Sequence, residues 1–144
     1  MAEVGCAGVL VADTFCGPMR HLPAQGQLLV VENMLPGAGG CAANVAIDLT
    51  RQGVSADIVG CVGPDTSARI VIEGLQEHGV GCSQIVTVAG LPTSKTVILL
   101  VEGQDRRYIH TFGANAAFTV GHLRRDWVAG LRVFYRLDRF QLRP

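Results

Sequence analysis

Apolar runs punctuated by glycine and by polar turns set the rhythm of this chain. Residues 4–11 form an almost unbroken apolar run, which predicts a strand buried on both faces, since such a strand shows no polar alternation. Residues 27–32 predict a second, shorter strand. Residues 42–52 repeat apolar positions at three- and four-residue spacing and run into Gly53, which predicts a helix with a glycine stop. Residues 58–62 predict another buried strand, and residues 66–78 a helix closed by Gly79. Strand and helix in alternation imply an α/β fold, a parallel sheet with covering helices. The rhythm then changes. Residues 95–102 and 107–112 are strand-like runs around Gly103 and Asp105, an antiparallel hairpin foreign to a simple βαβ series. Neither an internal repeat nor an interdomain linker interrupts the chain.

Composition narrows the class. With 144 residues, 49% of them hydrophobic, and a formal net charge of zero, the chain is one domain long, buries a core and has no general attraction to nucleic acid or anionic membrane. The apolar run after Met1 stops at Asp13, too short to span a bilayer, and no basic region precedes it, so no export signal is expected. Cys6, Cys16, Cys41, Cys61 and Cys82 are odd in number and contain no C-x-x-C pair. Reduced, structural thiols and a cytoplasmic location follow as expectations. His21, His78, His110 and His122 lack metal-ligand spacing, so no metal site is expected.

The chemistry concentrates in residues 36–46, Pro-Gly-Ala-Gly-Gly-Cys-Ala-Ala-Asn-Val-Ala. Glycines there let a backbone approach a ligand closely, amides at a helix start point outward as donors, and Asn44 both donates and accepts. Such a turn suits a polyhydroxy or anionic small molecule. Residues 37–42 also fit the relaxed dinucleotide pattern G-x-G-x-x-A, with Asp57 downstream for a ribose hydroxyl. Context opposes that reading. A strand already precedes the turn, Pro36 interrupts the approach to it, and Asp57 falls at the start of its strand rather than at the far end.

A second reading extends further. Asn44-Val45-Ala46, Arg51-Gln52-Gly53, Val59-Gly60-Cys61-Val62-Gly63-Pro64-Asp65 and Gly79-Val80 resemble, in order and spacing, the first half of the ribokinase-like (PfkB) carbohydrate kinases. Thr93 and Thr96, the turn at residues 103–107, and Gly113-Ala114-Asn115-Ala116 continue the match, which covers residues 4–135. The resemblance implies a Rossmann-like parallel sheet, with residues 20–36 and 93–113 forming a small β lid over a sugar site. It implies that Asp13, at the end of the first strand, binds sugar hydroxyls, and that Gly39, Gly40 and Asn44 meet the substrate. Asn115 and His110 are candidates to reach it through the lid, Asn115 being equally well read as a turn residue. Asp65, before Thr66 and Ser67, reads as a helix cap rather than a catalytic group.

The implied activity is ATP-dependent phosphorylation of a sugar or sugar acid, with magnesium. Two departures limit it. The family's Gly-Ala-Gly-Asp turn, whose aspartate is the general base and whose amides form an anion hole, has no counterpart between Met1 and Pro144, where the only Gly-Ala-Gly is followed by Gly40. The expectation is therefore a sugar-binding half without base or ATP site, inactive alone and prone to self-association through an uncovered strand. The alternative is a non-catalytic sugar-binding or interaction remnant of the same fold. Cys41, where ribokinases carry lysine, favours a different sugar or a sugar acid. The second departure is the tail. Residues 124–144 hold six arginines and two acids, the pattern of the family is lost over 136–144, and Arg132, Arg136, Arg139 and Arg143 would share one face of a surface helix.

Overall fold

A computed structural model describes residues 2–136. Its centre is a parallel sheet ordered β4-β1-β9, with β1 at Val4–Ala7, β4 at Ala56–Val59 and β9 at Val133–Arg136. Val4 stands opposite both Ala56 and Val133. A short parallel pair, β5 (Cys61–Val62) with β6 (Val86–Thr87), extends the layer beyond β4. Helix α1 (Cys41–Arg51) presents Ala42, Ala43, Ala46 and Ile47 to the core, and α2 (Thr66–Glu77) presents Ala68, Val71 and Leu75, so each contributes one apolar stripe. Both helices end as expected, at Gly53 (φ 83°) and Gly79 (φ 75°), where the backbone turns left-handed and the last carbonyls are bonded by Val54 and Val80 amides. A short helix α3 (Arg125–Ala129) carries Trp127 across Gly5, where a Cβ would lie 2.9 Å from the indole.

The predicted buried strands 4–11 and 58–62 are each broken, and for one reason. Gly8 and Gly60 cross at backbone contact: a Cβ on Gly60 would sit 2.7 Å from the Gly8 carbonyl oxygen, while the Gly8 amide donates to Val59. Apolar continuity conceals that crossing. After Gly8 the chain leaves the central sheet and becomes β2 (Val11–Met19), the middle of a second sheet ordered β3-β2-β7-β8, with β3 at Met34–Gly39, β7 at Lys95–Val101 and β8 at Arg107–Thr111. The antiparallel hairpin expected at 95–112 is β7 and β8.

The lid is therefore larger than expected, and one of its expected strands is absent. Residues 27–32 form no strand: they lack a partner, and Leu28 and Val30 stay exposed. The strand lies instead at Met34–Gly39, across a proline and glycines that read as a turn. Pro36 is tolerated because β3 is an edge strand, where a missing N–H breaks no ladder. The predicted arginine-faced helix is also corrected at its first two positions. Arg132 precedes an extended strand and Arg136 ends it, because that strand pairs with β1; Arg139 and Arg143 lie outside the described residues. Within the described residues no helix is long and apolar enough to cross a membrane.

Candidate functional site

Asp13 does not end the first strand. It is the third residue of β2, in the lid sheet, and the register there builds a row across all four strands: Gly37 of β3, Asp13 of β2, Thr96 of β7 and His110 of β8 stand directly opposite one another. Opposed residues share a face, so the three side chains meet on one side of the lid. The Thr96 hydroxyl oxygen is 2.9 Å from His110 Nδ1, and Thr96 stands opposite Asp13 in the strand register. Burial pushes the Asp13 carboxyl above its ordinary range, against the pull of the Thr96 hydroxyl and the nearby His110. His110 itself is exposed and meets Phe112 edge to face, with ring centroids 4.9 Å apart.

The paired glycines have separate reasons to be glycine. A Cβ on Gly39 would collide with Asp13 Oδ2, so Gly39 makes room for the carboxylate. Gly40 caps α1 with φ 99°, and a Cβ there would collide with the Val9 carbonyl oxygen. The turn thus sets the Asp13 carboxylate against the start of α1, whose free amides favour negative charge. Asn44, one turn into α1, is exposed. It lines a cleft of about 690 Å³ between α1 and α2, together with Pro36 and Gly37 of β3, Asp48 of α1, and Glu73 and Glu77 of α2. Asp13, Gly39, Thr96 and His110 are not among that cleft's walls.

Asn115 has a different position from the lid row. It is buried, its Nδ2 donates to the Leu10 carbonyl (2.8 Å) and its Oδ1 accepts from the Leu10 amide (3.1 Å). Both ends of its amide therefore hold the crossover between the two sheets. Asp65 is the helix cap that its neighbours imply, accepting from the Ala68 amide at 3.0 Å. It also accepts from the Thr93 amide and hydroxyl, and the Thr93 hydroxyl in turn accepts from Gly63. Burial alone would raise the Asp65 carboxyl; the Thr93 and Ala68 hydrogen bonds, with the Lys95 charge, hold it below the usual range.

All five cysteines are free thiols. Burial pushes Cys6 up to about 11, and burial with the Asp57 charge does the same to Cys82, so neither is a thiolate at neutral pH. Asp57 is the second residue of β4 and accepts from the Trp127 indole N–H at 3.1 Å, which leaves the dinucleotide reading without its ribose-binding acid. Sequence reasoning missed Thr96 as part of the site. The only signal was its place in an alternating strand, and alternation gives a face without giving the partner opposite.

These elements match a known family model. Residues 6–136 match that of the pfkB family carbohydrate kinases. The chain belongs to the pfkB family. Among curated relatives, this pfkB chain is 36% identical over 94 residues to the bifunctional protein HldE of Alcanivorax borkumensis, covering 64% of this chain and 20% of that protein. To HldE of Shigella dysenteriae it is 31% identical over 106 residues, 72% of this chain and 22% of that one. Among solved structures it resembles fructokinase from Xylella fastidiosa (TM-score 0.76, 23% identity, covering 93% of this chain and 42% of that one). It also resembles Arabidopsis thaliana ribokinase complexed with ribose and ATP (TM-score 0.68, 24% identity, 78% and 36%). The pfkB chain thus spans less than half the length of each of these relatives.

Proposed function

We propose that this chain supplies the sugar-binding part of an ATP-dependent carbohydrate kinase acting on a sugar or sugar acid. The observation that carries the reading is the lid row: a half-buried carboxylate, Asp13, seated against Gly39 at a helix start, with Thr96 and His110 beside it across the sheet. A carboxylate accepts hydroxyl protons, and partial burial makes such donors worth more than in water. Gly39 and Gly40 bring the backbone close, and Asn44, exposed on the α1–α2 cleft rather than in the lid row, adds a donor and an acceptor from the other side of the Pro36–Gly40 turn. A cytoplasmic location belongs to the same reading, supported by the free thiols.

The described residues do not fit a triphosphate with its magnesium. A carboxylate stands at the start of each long helix, Asp13 against Gly39 before α1 and Asp65 bonded to the Ala68 amide of α2, so phosphate would meet like charge at the two places where helix amides favour an anion. In this reading the nucleotide site and the general base are supplied by sequence outside residues 1–144.

Calorimetry with D-ribose, D-fructose and D-gluconate tests the binding half. Asp13→Ala and Asn44→Ala are each expected to weaken the best of these by about 1 to 3 kcal/mol; affinities equal to the parent chain's would remove the assignment. Sugar-dependent ADP release tests the kinase half. The chain alone is expected to show none, since loss of a general base alone removes about two to four powers of ten. Turnover is expected on adding the complementary segment of a full-length relative. Sugar binding without turnover on complementation would favour a non-catalytic sugar-binding protein.

A further inference from the structure

The two long helices are tied together at their carboxyl ends by a bond whose direction follows from the chemistry of its partners. Arg51 is the last residue of α1, and His78 follows the last residue of α2. Arg51 Nη2 lies 2.8 Å from His78 Nε2, and His78 Nδ1 lies 2.8 Å from the carbonyl oxygen of Gly74. A guanidinium only donates, and a carbonyl only accepts. Nε2 is therefore the bare nitrogen that accepts from Arg51, and Nδ1 holds the hydrogen that goes to Gly74. Both bonds exist together only in a neutral imidazole of the Nδ1–H form. In the imidazolium Nε2 has a hydrogen of its own, and no lone pair is left for Arg51.

The place of this bond gives it reach. The Gly74 carbonyl is one of the four terminal carbonyls that the amides of α2 leave over, and His78 fills it from within the same helix end. A Cβ on Gly74 would lie 3.0 Å from Ala38 Cβ, so α2 meets β3 at the residue that His78 grips. Arg51, His78, Gly74 and Ala38 all line the cleft between the helices, and the bond joins the elements that form it. The charged groups on those walls are few. On α1, Asp48 Oδ1 stands 4.0 Å from Arg51 Nη1; on α2 are Glu77 and Glu73, the latter 3.8 Å from Arg69; β3 has no titratable side chain.

We infer that Arg51 and His78 form a pH-sensitive clasp: neutral His78 holds the end of α1 to the end of α2, and a proton taken up at Nε2 releases it. Release leaves two cations facing each other, with Asp48 and Glu77 as the carboxylates on the same cleft. The clasp stands independently of the sugar-binding reading, since neither residue belongs to the lid row.

Long-range 1H–15N NMR of the full chain at about pH 8, where imidazoles are neutral, reads the tautomer directly, with His78 assigned by the signal lost in His78→Gln. The Nδ1–H pattern is expected; an Nε2–H His78 overturns the clasp, and the parent spectrum decides even where other variants do not fold. A double-mutant cycle of Arg51→Met and His78→Phe, followed by urea unfolding, is the second arm. Coupling of about 2- to 10-fold in the unfolding equilibrium constant is expected at about pH 8 and none at about pH 5. His78→Gln supplies an amide oxygen that accepts without titrating, and it is expected to stay coupled to Arg51 at both pH values. Absence of coupling at the higher pH, equal coupling of Arg51 with His78 at both, or a His78→Gln chain whose coupling is also lost in acid overturns the switch.

Discussion

The two sheets of this domain are held together in opposite ways. In the central sheet every residue of β1 is buried, and so are three of the four residues of β4, so these two strands are defined by what they exclude from water, while the edge strand β9 is exposed at three of its four residues. In the lid, all five residues of β8 are exposed and β3 is buried only at Gly39, so these outer strands are defined by register, while β2 and β7 between them bury Val11, Ala12, Met19, Ile98 and Val101. The difference separates stability from chemistry. Apolar burial is most complete in β1 and β4, which bear no candidate substrate contact, while the candidate contacts Asp13 and His110 are half-buried and exposed positions of the lid.

Truncation on the two sides is the widest test of that contrast. Leu75→Ala, which removes a fully buried side chain from the core cluster that holds Val4, Cys6 and Ile58 of the central sheet, is expected to lower unfolding free energy by about 2 to 5 kcal/mol. Tyr108→Ala, on an exposed lid position, should stay within about 0.5 kcal/mol. Urea denaturation at matched slope measures both, and equal losses would erase the distinction. Next comes the joint between the sheets. Asn115→Ala leaves the Leu10 amide and carbonyl without their side-chain partners, and about 1 to 3 kcal/mol should be lost. A loss under about 0.5 kcal/mol would mean that the joint does not depend on this amide.

Two carboxylates sharpen the comparison through pH, with opposite signs. Asp65 has its folded-state value lowered, so the stability it contributes is present above the ordinary unfolded value and is lost as pH falls through the folded one. The stability gap between the parent chain and Asp65→Asn is expected to close on acidification, in thermal melts run from neutral to strongly acid buffer. Asp13 has its folded-state value raised, so ionising it penalises the fold at pH above that value, and the penalty is absent below the unfolded one. Asp13→Asn should therefore be slightly more stable than the parent at neutral pH and equal to it in acid, while binding sugar less well. A variant that is less stable at neutral pH would assign Asp13 to the scaffold instead.

The elements most legible in the sequence were those written by periodicity and by stops. Helices α1 and α2 fall within a residue of the expected bounds because apolar spacing and a left-handed glycine carry their own signal, and Asp65 declared itself as a cap. The lid was legible as a hairpin at β7 and β8 but not as a four-stranded sheet. Its middle strand was hidden inside an apolar run that Gly8 divides, and its edge strand inside a proline-glycine stretch that only an unpaired side can tolerate. Of the candidate site residues, the structure brings Asp13, Gly39 and His110 together, seats Gly40 as the cap of α1, turns Asn44 toward the cleft between the helices, and ties Asn115 to Leu10. Thr96 had no local signature, since its place between Asp13 and His110 exists only after β2 and β8 have paired on either side of β7.

One pairing has a consequence in time. The central strand β1 lies between β4 and β9, and its contact with β9 is fastened at the end by Arg132 and Glu3, 2.6 Å apart in space and 129 residues apart in sequence. During synthesis the apolar edge of β1 that faces β9 must wait until nearly all of the described chain has emerged. Contacts of such long loop closure form late and slowly. The nascent amino terminus is thus the segment most in need of protection from premature association, and expression yield should respond to translation speed and chaperone supply more than the final stability of the domain would indicate.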